Sequence, residues 1–227
     1  MIRTRIDGVL TAWVVVVLTA IAPARAETGA ETDTARHWNF QVYLNDTPIG
    51  WQHFTLDQLT RDRHGDERSM DVEAKFAVKF LGFTVYRYQH HAHAQWRGDC
   101  LQALRTRTDD DGDKYKVDSE HDGDTLVVIV GDKRIRTDSC PMTFAYWNPA
   151  ILQRTRLINT QTGKYETVDI RKIGSEKISV RGNMVEANHY RIAGIEQPID
   201  LWYSDAGDWL ALSSRVSDGK LLRYELQ

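Results

Sequence analysis

The chain reads as a mainly β protein: a strongly curved antiparallel sheet or incomplete β-barrel with a short helical insertion near residues 142–156. Three observations predict that class. Apolar and polar residues alternate over long stretches, the pattern of strands with one buried face. Gly, Asp and Asn clusters punctuate the chain at short intervals, as tight hairpin turns require. Between residues 142 and 156 both rhythms stop, and Asn148-Pro149 offers a helix N-cap followed by proline at the first helical position.

In chain order, Trp38, Phe40, Val42 and Leu44 alternate ahead of a turn at Asn45-Asp46-Thr47-Pro48. Residues 49–56 continue in extended style, and residues 61–67 around Gly65 read as a loop. Met70, Val72, Ala74, Phe76, Val78 and Phe80 form a long strand that breaks near Gly82, and Phe83, Val85 and the aromatic-rich residues 86–96 form its successor. Turn signals recur at Gly98-Asp99, Asp111-Gly112-Asp113, Asp122-Gly123-Asp124, Gly131-Asp132, Thr162-Gly163, Arg181-Gly182-Asn183, Ala206-Gly207-Asp208 and Asp218-Gly219. The expected product is an antiparallel meander of roughly ten strands, its last three at residues 199–203, 209–216 and 220–226.

Residues 1–26 carry the three parts of a secretory signal peptide: Arg3 and Arg5, an apolar run from Val9 to Ile21, and Ala24-Arg25-Ala26 around a cleavage point. The apolar run falls short of the about 20 residues a membrane span wants. Cleavage is the leading reading, with an uncleaved anchor as the alternative. No cysteine lies near the cleavage point to carry a lipid. Residues 27–227 then form a single β-rich domain, long enough to bury a core, in the periplasm or outside the cell, without a transmembrane segment once the leader is removed.

Three of the 29 basic residues and one of the 32 acidic residues lie in the leader, so the remainder carries 26 and 31, a net charge of −5. That balance argues against nucleic acid or anionic lipid head groups as main partners. In an oxidising compartment Cys100 and Cys140, the chain's two cysteines, are expected to form a disulfide. A reactive thiol would want a CxxC spacing or a cationic setting that the sequence lacks.

His90, His91 and His93 are the most chemically suggestive cluster. On a strand His91 and His93 share a face and His90 points opposite, so a metal would need ligands from elsewhere, and no metal site is assigned. Asp109-Asp110-Asp111-Gly112-Asp113 fails as a calcium loop: with Gly112 at the glycine position, Arg107 falls on the first ligand position. It reads as a solvated turn. Gly-x-Ser-x-Gly, His-Glu-x-x-His and phosphate-binding glycine motifs are missing, so no catalytic residue and no cofactor is assigned.

Trp38-Asn39-Phe40 with Ile49-Gly50, Leu81-Gly82-Phe83 leading into Val85-Tyr86-Arg87-Tyr88, Trp96 before Gly98, residues 147–152, Asn159 to Gly163, and Leu201-Trp202-Tyr203 together resemble an uncharacterised family of exported bacterial proteins, domain-of-unknown-function family 6134. The resemblance covers nearly all of residues 27–227 and brings no assigned chemistry. More distantly, the layout is similar to the architecture of periplasmic lipoprotein carriers, incomplete β-barrels whose concave face holds acyl chains under a helical lid. Such likeness bears on fold rather than function.

The leading expectation is a non-catalytic carrier or binding protein for a hydrophobic, lipid-like molecule, with Tyr88, Trp96, Trp147 and Trp202 lining a pocket and Asn148 and Arg87 as polar anchors. Two alternatives stay open: an enzyme or metal-binding protein using the residues 90–93 histidines, and a cell-envelope interaction module using a strand edge. The sequence does not specify an oligomeric state. N-terminal sequencing of the exported form should begin within a few residues of Glu27. Recovery of an intact Met1 form fixed in the membrane would contradict the leader reading.

Overall fold

Alternation is realised along most of the described residues. The computed structural model describes residues 35–62, 65–216 and 219–227; the leader expected at residues 1–26 and most of the polar segment after it lie outside the described residues. Strands β1 (Arg36–Leu44), β2 (Thr47–Asp62), β3 (Gly65–Phe80), β4 (Phe83–Arg97), β5 (Cys100–Asp110), β6 (Asp113–Asp122), β7 (Thr125–Val130) and β8 (Lys133–Arg136) form one meander. After an inserted segment come β11 (Asp169–Val180), β12 (Asn183–Ala193), β13 (Ile199–Tyr203), β14 (Trp209–Arg215) and β15 (Leu221–Leu226). The insertion holds a small hairpin of β9 (Arg156–Ile158) and β10 (Tyr165–Thr167).

The two meanders make one thirteen-stranded antiparallel sheet because β1 pairs with β15, Phe40 opposite Leu226. Its edges are β8 and β11, so the sheet is not closed. The fifteen strands among the described residues exceed the roughly ten expected, and the difference is instructive. Residues 61–67 are largely strand, with β2 reaching Asp62 and β3 resuming at Gly65. Polar residues there, as in β6, β8 and β11, hide a ladder held by backbone pairing rather than by burial.

One face of the sheet carries the core. Trp38 and Phe40 of β1, Phe54 and Leu56 of β2, Trp96 of β4, Leu101 and Leu104 of β5, Val117 of β6 and Leu126 and Val128 of β7 are buried together with Ile192, Leu201, Tyr203, Trp209 and Leu212 from the second meander. What they meet is the inserted segment, which contributes Met142, Ala145, Trp147, Ile151, Leu157, Ile158 and Val168. Trp209 is a hub: its ring lies 4.5 Å from Phe40, 5.0 Å from Phe54 and 5.3 Å from Tyr146.

Several ties hold the insertion against the sheet. The expected Cys100–Cys140 disulfide is present, and beside it the Leu101 amide donates to the Pro141 carbonyl at 2.8 Å. The Tyr203 hydroxyl donates to the Tyr146 carbonyl at 2.7 Å. The Thr106 hydroxyl donates to the Thr160 carbonyl, also at 2.7 Å.

The helical insertion expected at residues 142–156 is a single 3-10 turn, Pro149–Gln153. Asn148 does cap it, its side-chain oxygen accepting from the Ala150 amide at 3.0 Å. The turn stops because Arg154 returns to extended backbone. Upstream, Thr143, Ala145 and Trp147 are buried at alternate positions, a period of two that suits extended chain and not a helix. No helix among the described residues is long and apolar enough to cross a membrane. The aspartate cluster is a turn, as expected: Asp111 and Gly112 have φ of 53° and 102°, and the Gly112 amide donates to the Asp109 carboxylate at 2.8 Å.

Gly163 marks where the insertion meets the sheet most closely. Its φ is +69°, and a Cβ there would lie 2.2 Å from Val130 Cγ2. Gly163→Ala should therefore lower stability by about 2 kcal/mol, from backbone strain plus overpacking. Adding Val130→Ala should recover the packing part alone. Urea midpoints of the parent, both single variants and the double variant test this, and purely additive losses would contradict the contact.

Candidate functional site

Between the inner sheet face and the insertion lies a cleft of about 440 Å³. One wall is built by alternate residues of β2, β3 and β4: Gln52 and Phe54, Met70 and Val72, then Tyr88, His90, Ala92, Ala94 and Trp96. Small alanines at positions 92 and 94, opposite Val72 and Met70 across the β3–β4 ladder, leave room that larger side chains would fill. Trp209, Leu212, Leu222 and Tyr224 of β14 and β15 form a second wall. The insertion covers them with residues 143–147 and 159–162, and Ile195, Glu196 and Gln197 contribute from the β12–β13 connection.

A chain of hydrogen bonds runs from one part of the cleft to the end of β5. The Tyr88 hydroxyl donates to Gln161 Oε1 at 3.1 Å, and Gln161 Nε2 donates to Asp110 Oδ2 at 3.0 Å. Asp110 also accepts from the Tyr86 hydroxyl at 2.7 Å. Gln161 is presented by an Asx turn in which Asn159 Oδ1 accepts from the amides of Gln161 and Thr162 at 3.0 and 3.1 Å. Burial pushes the Tyr88 and Tyr146 hydroxyls far above their ordinary range, so both stay protonated.

His90 is buried, with Nδ1 2.7 Å from the Thr108 hydroxyl. Burial lowers its pKa to about 4, which makes it a neutral imidazole at physiological pH. His91 and His93 take the opposite, exposed face, where Nδ1 of each lies 3.8 Å from Glu73 and 2.8 Å from Asp71 respectively. The strand thus separates the three histidines. Among the described residues no group of three or more His, Cys, Asp or Glu side chains is placed to hold a metal ion.

The residues expected at a pocket divide sharply. Tyr88, Trp96 and Trp147 line the cleft, the two indoles in edge-to-face contact at 5.4 Å. Arg87 does not: odd-numbered residues of β4 face away from the core, and Arg87 is exposed on the other side of the sheet. Trp202 is likewise outward, between inward Leu201 and Tyr203, stacked on His189 at 4.6 Å with its Nε1 donating to Glu176 at 2.9 Å. Asn148 is buried but structural, since its oxygen caps the 3-10 turn and its Nδ2 donates to Asp99 at 2.9 Å. Sequence reasoning missed Gln161, Trp209 and Tyr224 as cleft residues. Only Asn159 to Gly163 carried a signal, as part of the family resemblance.

Two buried polar atoms among the described residues lack a protein partner: Arg68 Nε and Trp96 Nε1. An orphaned buried donor is costly, and Trp96 is a cleft residue. The cleft lining combines apolar walls with hydroxyl and amide groups and the ionisable side chains of Lys164, Glu166 and Glu196.

The neutrality of His90 has a measurable sign. Its pKa falls from 6.5 to about 4 on folding, so the unfolded chain binds its proton first, and stability is intact above pH 6.5 and lost as pH falls toward 4. The loss amounts to about 3 kcal/mol at 1.36 kcal/mol per pKa unit. Urea midpoints across that window should fall more steeply for the parent than for His90→Gln; parallel profiles would contradict a buried neutral imidazole.

Comparison with known proteins agrees with this architecture. The crystal structure of a beta-barrel-like protein of domain of unknown function DUF1849 from Brucella abortus is similar, with a TM-score of 0.55, at 10% sequence identity, over 84% of this chain and 94% of that one. At that identity the likeness concerns the fold alone. No curated protein matches the sequence. Residues 40–227, nearly the whole sheet with its insertion, match the sequence profile of a domain of unknown function, DUF6134, and the chain belongs to that family.

Proposed function

We propose that this protein is a non-catalytic carrier or binding protein for a hydrophobic, lipid-like ligand, exported by its leader and acting in the periplasm or outside the cell. The observation that carries the reading is the 440 Å³ cleft with aromatic and aliphatic walls and a few placed polar groups. Small-molecule sites span about 300–1,000 Å³ and share that composition. The Cys100–Cys140 disulfide supports an oxidising compartment.

An environment-sensitive fatty acid probe tests this on protein stripped of ligand. Saturable binding to the parent is expected. Val72→Trp, at a half-buried cleft position, should weaken the probe at least tenfold while the urea midpoint moves little. Failure of the parent to bind across fatty acid, phospholipid and isoprenoid probes would overturn the proposal.

A further inference from the structure

The β3–β4 hairpin outruns β5, and its ladder with β2 also stops short of the tip, although Thr47, Pro48 and Ile49 of β2 still border Ala77, Val78, Lys79 and Val85 across a groove. On the β5 side the ladder begins only at Tyr88–Asp110, and on the β2 side only at Gly50–Phe76. Residues 77–87 are thus ladder-paired only to each other, through Ala77–Arg87, Val78–Tyr86, Lys79–Thr84 and Phe80–Phe83. The β4 arm extends past the end of β5 by about 16 Å, at ~3.3 Å per residue.

Its tip is apolar and exposed. Leu81, Phe83 and Val85 are 82%, 76% and 52% accessible, half of the six large exposed apolar side chains among the described residues. Leu81 also sits at a φ of +47°, a conformation that Gly or Asn adopts readily and a bulky side chain does not. Folding alone would favour Asn at this turn, so a leucine held there points to a role outside folding. The aspartates of the β5–β6 turn stop level with Arg87, where Asp111 accepts from the Arg87 amide at 3.2 Å.

Charge indicates what such a tip would meet. The overall net charge of −3 argues against anionic head groups as partners of the molecule as a whole, but locally residues 75–88 contain Lys75, Lys79 and Arg87, five aromatic residues and no acidic residue. Lys75, Lys79 and Arg87 are all exposed. Apolar side chains at a projecting end, backed by aromatic and basic residues, match the layered chemistry of a bilayer interface, with hydrocarbon beneath aromatic-rich and anionic headgroup zones. A protein-binding patch would not require the charge reversal.

We propose that the β3–β4 hairpin is a membrane-docking element that inserts Leu81 and Phe83 into the surface of an anionic lipid bilayer. The proposal goes beyond the cleft and does not depend on what the cleft holds. The protein has two cysteines, joined to each other, so Phe83→Cys gives a unique thiol for an environment-sensitive dye. With vesicles of phosphatidylglycerol and phosphatidylcholine in equal parts, the dye should shift to the blue and brighten. A dye at Asp132→Cys, on the β7–β8 turn, should not change. In the labelled background Leu81→Asn, which suits the positive φ, should weaken the vesicle response at least tenfold with the urea midpoint kept or raised. Lys79→Glu should weaken it on anionic vesicles and leave the weaker response to pure phosphatidylcholine unchanged.

A dye at position 83 that stays in water with vesicles present would overturn the proposal. So would a blue shift already present without lipid in a dimer that Leu81→Asn dissociates, since a second copy would then cover the tip. Fatty-probe binding by Leu81→Asn without vesicles should equal the parent's, which separates failure of the docking element from failure of the cleft.

Discussion

A broad antiparallel sheet with one apolar face must cover that face or close upon itself, and this one does not close. Coverage falls to the chain between β8 and β11, and the rest of the structure depends on that contact. Met142, Trp147, Ile151, Leu157 and Ile158 are nearly inaccessible because they pack against strands from both meanders. The Cys100–Cys140 bridge and the Leu101–Pro141 hydrogen bond fix where the cover begins. Gly163 fixes how closely it approaches β7. The cleft is what remains where the cover and the sheet do not meet, in front of the small side chains of Ala92 and Ala94.

Much of this was legible in the residues themselves. Strands with one buried face announced themselves by alternation, and the turns fell where Gly and Asp clustered, because those positions need positive φ. The disulfide followed from the expected compartment and the count of two cysteines. The face assignments of Arg87 and Trp202 were the weak point. Alternation says that Arg87 opposes Tyr88 and that Trp202 opposes Tyr203, but not which member faces the core. A pair with two bulky or two amphipathic members carries no internal clue, and the decision rests on strands distant in sequence.

The insertion was misread for a related reason. Asn148-Pro149 is a sound helix start, and a turn does begin there. A start signal says nothing about length, which depends on whether apolar residues continue at helical spacing. Here Leu157 and Ile158 are needed in extended chain, opposite Glu166 and Tyr165, so the turn ends within five residues. Gln161 was invisible because a lone glutamine in a polar turn has no sequence signature. Its importance comes from the Asx turn of Asn159 and from the distant Tyr88 and Asp110 that it joins.

The unclosed sheet leaves two strands with unpaired backbone. β8 is four residues long and three of them are cationic, Lys133, Arg134 and Arg136, with Arg134 and Arg136 paired to Glu120 and Asp122 of β6. β11 carries charged residues along its length and a register break between Lys172 and Gly174. Short, charged or kinked edges make poor templates for another strand. Edge-to-edge polymerisation of folded molecules is thereby discouraged at both ends of the sheet.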